Sequence, residues 1–154
     1  MANKPSMPAL TPVRSIQIAV GATLLGWLAV IFCDTHSLVL PYFSNWALIT
    51  NSLIILVLAI LSYPIYQWHV GKRKEPLNPY IASRTIALAQ AGIVISSIFV
   101  GWHVGVLFYL LPSWSERPVH TPFFLCLITI AINILLWILS SFIQKWGMIK
   151  DEEK

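Results

Sequence analysis

The sequence predicts an all-α integral membrane protein: a bundle of four transmembrane helices with both chain ends on the inner side. Three observations carry that reading. Hydrophobic residues make up 57% of the 154 positions, charged residues only 10%, and the mean hydropathy is +0.74, more apolar surface than a soluble domain of this length can bury. The apolar residues fall into four runs, about 16–33, 46–66, 80–111 and 123–143, each long enough for the ~30 Å hydrocarbon layer of a bilayer. Finally, nine of the ten Lys and Arg fall in segments on one side of those runs.

Residues 1–12 contain Pro5, Pro8 and Pro12 and show no apolar periodicity, which reads as a disordered tail. Thr11 followed by Pro12 is an N-cap followed by a proline at the first helical position, where a missing N–H costs nothing. The first run then extends to Cys33. A basic flank ahead of an apolar run also describes a signal peptide, but no small-residue cleavage pattern follows, so the run reads as an uncleaved anchor.

The segment from Asp34 to Phe43 has no Lys or Arg and makes a short outer loop. Ser44 or Asn45 caps the second run, whose Trp46, Tyr63 and Tyr66 mark the headgroup levels, and Pro64 predicts a bend near its end. Residues 67–78 form the inner loop. Asn78-Pro79 repeats the cap-and-proline device, and an unbroken helix from Pro79 to Leu111 spans ~50 Å at ~1.5 Å per residue, so its first turns project into the headgroups or the helix tilts. Thr121-Pro122 opens the fourth run. Residues 13–143 thus form the transmembrane domain and 144–154 a charged cytoplasmic tail.

Orientation follows from the cations. Lys4 and Arg14 precede the first run; Lys72, Arg73, Lys74 and Arg84 surround the middle loop; Lys145, Lys150 and Lys154 follow the fourth run; only Arg117 lies on the other side. Short basic loops stay in the cytoplasm, which predicts a multi-pass protein of a bacterial plasma membrane with both termini cytoplasmic. The same asymmetry accounts for the net charge of +4 without nucleic acid as a partner.

Within the spans, association rests on small residues and interhelical hydrogen bonds rather than on apolar contact. On the third run Ser83, Ala87, Gln90, Val94, Ser97, Gly101 and Gly105 form a small or polar seam, opposite the bulkier Ile86, Ile93, Val100, Val104 and Leu107, which suit lipid. Ala22 and Gly26 of the first run suit Gly101 and Gly105 as a facing pair; intramolecular packing and a homodimer seam are both open uses of the stripe. Asn51, Gln90, His103 and Asn133 are polar groups at depth and should point inward.

Lys72, Arg73, Lys74 and Arg84 are the concentrated cationic patch, suited to the anionic lipid of the inner leaflet or to a membrane-protein partner. Arg84 lies near a helix N-terminus, where a cation opposes the macrodipole, so a lipid phosphate, the acidic residues Asp151 to Glu153 or a partner is expected to compensate it. The histidines are not at ligand spacing, the two cysteines form no CxxC, and no hydrolase elbow, HExxH or phosphate-binding glycine loop occurs. No catalytic residue, metal or cofactor is assigned. Cys33 and Cys126 fall near the same membrane face, which leaves open both a disulfide and two separate buried thiols.

Pro76-Leu77-Asn78-Pro79-Tyr80, Arg84, Ala87-Leu88-Ala89-Gln90-Ala91 and Gly101-Trp102-His103-Val104-Gly105 together resemble the central signature of a family of small actinobacterial membrane proteins of unknown function, DUF3180. The resemblance implies a four-span plasma-membrane protein, often encoded near folate-biosynthesis genes. That family pattern carries Asp at the position of Asn78, Lys at that of Gln90 and a Glu-x-x-Cys-like ending at Gln144 to Gly147, so this chain has an uncharged amide where relatives have a cation.

The sequence therefore points to a non-enzymatic accessory or scaffold protein of the membrane, contacting lipid or a partner through the inner basic loop. The alternative is a small oligomeric transporter or permeation component with Gln90, Ser97 and His103 along its route. Reporter fusions at either terminus should both read as cytoplasmic; an exported terminus would contradict the orientation.

Overall fold

The computed structural model describes residues 10–39, 45–71, 79–112 and 120–148. They form four α-helices: α1 (Pro12–Thr35), α2 (Asn45–His69), α3 (Pro79–Leu110) and α4 (His120–Met148). All four are long and apolar enough to cross a membrane. Among the described residues there is no strand.

Local chemistry sets the helix ends. Thr11 is extended and Pro12 opens α1, but the Thr11 hydroxyl makes no capping bond. The Thr11 carbonyl instead accepts from the N–H groups of Arg14 and Ser15, at 3.0 and 3.3 Å. At the other end Ser37 adopts a left-handed φ of 54°, and Leu38 N–H closes onto the Cys33 carbonyl at 2.8 Å, reversing the chain as a C-terminal cap does. Gly71, at φ 76°, takes the corresponding role after α2, where a side chain would be strained. Pro64 lies inside α2 without ending it.

The helices are not arranged in chain order. Among the described residues α3 packs against α1 on one side and α4 on the other, α2 lies mainly on α4 and touches α3 at fewer points, and α1 meets neither α2 nor α4 through the backbone. Two separate cores result. Val30, Val106, Leu110 and Cys126 join α1, α3 and α4 at one end, while Leu58, Ile65, Ala89, Leu136 and Ile143 join α2, α3 and α4 at the other. A cleft of about 140 Å³ separates α1 from α4 above α3, with Ile16 and Ala19 on one wall, Ile134 and Trp137 on the other, and Ser96 and Ser97 at its base.

The α1–α3 contact is made by backbone. A Cβ on Gly26 would stand 2.6 Å from the Trp102 carbonyl oxygen, one on Gly101 would strike the Ala19 carbonyl, and one on Gly105 would strike the Thr23 carbonyl. Ala19 and Thr23 are one turn apart, as are Gly101 and Gly105, so the two helices run parallel here and mesh over successive turns. Such close approach gives dispersion contacts, and Cα–H groups facing carbonyls, that larger residues forbid.

Three expectations need correction. The small-residue seam of α3 does not continue to its start: Ser83 and Ala87 are exposed, because Ala19 sits at Gly101 and Pro12, seven residues earlier, comes level with Val94, so α1 ends before reaching that face. Ile93, expected to face lipid, is 3% exposed, since the side of α3 away from α1 is covered by α4 and α2. The charged tail begins later than residue 144. The helix runs to Met148, Gln144 is buried with its Nε2 donating to the Leu10 carbonyl at 3.3 Å, and Trp146 packs on Tyr66 with ring centroids 5.5 Å apart. Both cysteines are free; Cys126 is buried and Cys33 half-buried.

Because carbonyls block the space at Gly101 and Gly105, Gly101→Val or Gly105→Val should destabilise the detergent-solubilised protein by about 2 kcal/mol, in the range of overpacked cores. Gly21 has nothing within 4 Å of its Cβ position, so Gly21→Ala should leave the melting temperature unchanged or raise it. Equal losses at all three positions would contradict this α1–α3 interface.

Candidate functional site: the first turns of α3

Tyr80, Ser83 and Arg84 occupy the beginning of α3, and all three are exposed. Tyr80 and Arg84 stand four residues apart on one side of the helix. The guanidinium carbon lies 4.1 Å from the centre of the Tyr80 ring, and Arg84 Nη2 donates to the Tyr80 hydroxyl. The Ser83 hydroxyl turns back onto the Tyr80 carbonyl at 3.1 Å.

A cation over an exposed aromatic face gains ~0.5–1 kcal/mol, which offsets its unfavourable place near the positive end of the helix dipole. Tyr80 is neutral, so the Arg84 charge remains available to an anion. Among the described residues no carboxylate forms an ion pair with it. Lys72, Arg73 and Lys74, and the acidic residues Asp151 to Glu153, lie outside the described residues.

Beside Arg84 the uncovered flank of α3 shows Ser83, Ala87 and Ala91, all exposed and spaced by four. Small residues at that spacing let another helix or an acyl chain approach the backbone closely. The flank is uncovered for the reason given above, that α1 starts too late to reach it. A cation stacked on an aromatic ring and a bare small-residue ledge thus lie together at one end of the longest helix.

The remaining sequence candidates lie deeper. Gln90 is half-buried. Ser97 is buried and donates to the Ile93 carbonyl at 2.7 Å, and Gly101 and Gly105 are occupied by α1. His103 is buried with Nδ1 2.7 Å from the Phe99 carbonyl, and Asn51 and Asn133 are buried at helix contacts. The buried groups Thr85, Ser96, Thr129, Ser140 and Gln144 escaped sequence reading. On α4 their signal is the spacing of Thr129, Asn133, Ser140 and Gln144, which puts all four on one helix face.

Ser140 Oγ has no partner, whereas Ser96 and Thr129 bond back to their own helices, donating to the Ile93 carbonyl at 3.0 Å and the Leu125 carbonyl at 2.8 Å. They are satisfied without a partner helix and leave their surroundings effectively apolar. Among the described residues no group of three His, Cys, Asp or Glu side chains could hold a metal ion.

Four apolar helices, uncharged in their interiors among the described residues and basic beside one end, define the chain as a multi-span membrane protein. A family model described as "Protein of unknown function (DUF3180)" matches residues 16–151, and the chain belongs to that family. No curated protein and no solved structure matches it.

Since Arg84 is exposed and bonded only within its own turn, Arg84→Gln should change the unfolding free energy in detergent by less than ~0.5 kcal/mol, as expected for a surface position. A loss above ~2 kcal/mol would mean that the side chain holds the bundle together.

Proposed function

We propose that this chain is a non-enzymatic accessory or scaffold protein of a bacterial plasma membrane, which engages anionic lipid or a membrane-protein partner at its cytoplasmic end. The observation that carries this reading is the pairing of the stacked Arg84–Tyr80 unit with the uncovered ledge of Ser83, Ala87 and Ala91. The cation attracts a phosphate or carboxylate at headgroup level, and the ledge accepts a helix or chain beside it. Lys72, Arg73 and Lys74 precede the same helix in sequence and add to the attraction.

The inward-bonded hydroxyls of Ser96 and Ser97 favour this over permeation, because a polar route needs groups turned toward the passing solute. A transporter remains the second reading, tested by a separate variant.

Each cation near an anionic leaflet contributes ~1 kcal/mol. The quadruple variant K72Q/R73Q/K74Q/R84Q should therefore bind anionic lipid or a co-purifying partner on the order of a thousand-fold more weakly, measured by affinity purification in mild detergent with identification of bound lipid and protein. Retention of the same species by that variant would overturn the proposal. A solute flux in reconstituted vesicles that Gln90→Leu reduces would favour the transporter instead.

A further inference from the structure

The middle of the bundle holds two hydrogen-bonding atoms that no protein group satisfies. Asn51 of α2 and Asn133 of α4 are 2% and 0% exposed, and Asn51 Nδ2 and Asn133 Oδ1 have no hydrogen-bond partner. One atom is a donor and the other an acceptor. The Asn133 amide is fixed in orientation because its Nδ2 donates to the Thr129 carbonyl at 2.9 Å, which turns Oδ1 away from its own helix ladder.

The two residues lie at one height. Leu58 of α2 and Ser140 of α4 both pack at Gly92 of α3. Tyr66 beside Trp146 makes α2 and α4 parallel, and Cys126 beside Val106 and Leu110 makes α3 antiparallel to α4. Seven residues along each helix from that shared point stand Asn51, Asn133 and Phe99. Seven residues are two turns, about 10.5 Å, so each stays on nearly the same face as the residue that packs at Gly92.

One turn further on, His103 stacks on Phe99 with centroids 6.1 Å apart and holds the Phe99 carbonyl through Nδ1. The layer therefore gathers Asn51, the Phe99 carbonyl, His103, Thr129 and Asn133 from three helices. Among the described residues it contains no carboxylate, lysine or arginine, so its chemistry suits a neutral molecule. Ser140 Oγ, also unpartnered, is about 10.5 Å away by the same count and belongs to a different level.

Leaving a buried amide unsatisfied in hydrocarbon is strongly unfavourable. Water is the smallest molecule that accepts from one such group and donates to another. We propose that a water molecule bound between α2 and α4 accepts from Asn51 Nδ2 and donates to Asn133 Oδ1, forming an internal hydration site in the membrane span. Buried waters elsewhere make two to four such bonds to otherwise unsatisfied groups.

The test uses the full chain in detergent micelles, perdeuterated and labelled with ¹⁵N-asparagine, with Asn51→Leu and Asn133→Leu variants assigning the side-chain amides. Both amides should show cross-relaxation to water, and Asn51→Leu should abolish the water signal at Asn133. Absence of water signals at both amides in the unsubstituted protein overturns the proposal. So does cross-relaxation between the two amides without water, which would show a direct bond between them. Because the unsubstituted protein alone decides these outcomes, misfolding of a leucine variant would not protect the idea.

Discussion

The fold depends on one backbone-to-backbone contact. Gly26, Gly101 and Gly105 remove the side chains that would hold α1 and α3 apart, so carbonyls of each helix meet Cα atoms of the other. In a bilayer this matters more than in water, because lipid chains compete with apolar side chains on equal terms and only closer packing distinguishes helix from solvent. With α1 fixed on one flank, the other side of α3 is left for α4, and α2 joins through α4. The two cores, one including α1 and the other α2, follow from that order.

A second constraint governs the polar residues. Several hydroxyls in the spans, though not that of Ser140, fold back onto carbonyls three or four residues earlier, which satisfies them without committing them to a neighbour. Amides at depth are less easily satisfied, because each carries both donors and an acceptor. Asn133 satisfies its nitrogen on Thr129 and leaves its oxygen over. Among the described residues the buried side-chain atoms left without a partner belong to three amides, Asn51, Asn133 and Gln144, and to the Ser140 hydroxyl.

Much of this was legible in the sequence, and for identifiable reasons. Four apolar runs of bilayer length gave four helices, and Thr11-Pro12 marked the start of the first. The four-residue spacing of Ala22 with Gly26 and of Gly101 with Gly105 paired those small residues, which meet in the structure. The lateral order of the helices was not legible, since nearly uniform hydrophobicity gives each helix little amphipathic direction. Nor was the relative height of α1 and α3, so the small-residue spacing alone extends the seam to Ser83 and Ala87, which lie beyond its end. The apolar run stops before Gln144, which makes that residue read as tail, yet its bond to Leu10 and the Tyr66–Trp146 contact accompany a helix that continues past the apolar boundary. The ledge beside Arg84 emerges only once those heights are known.

The lateral order α1, α3, α4, α2 bears on how the protein is made. Among the described residues α1 and α2, consecutive in the chain, do not pack on each other, so each depends on a later helix for its partner. α3 supplies the partner surface for α1, and α4 supplies most of that for α2, so the packing of the two earlier helices rests on the two later ones.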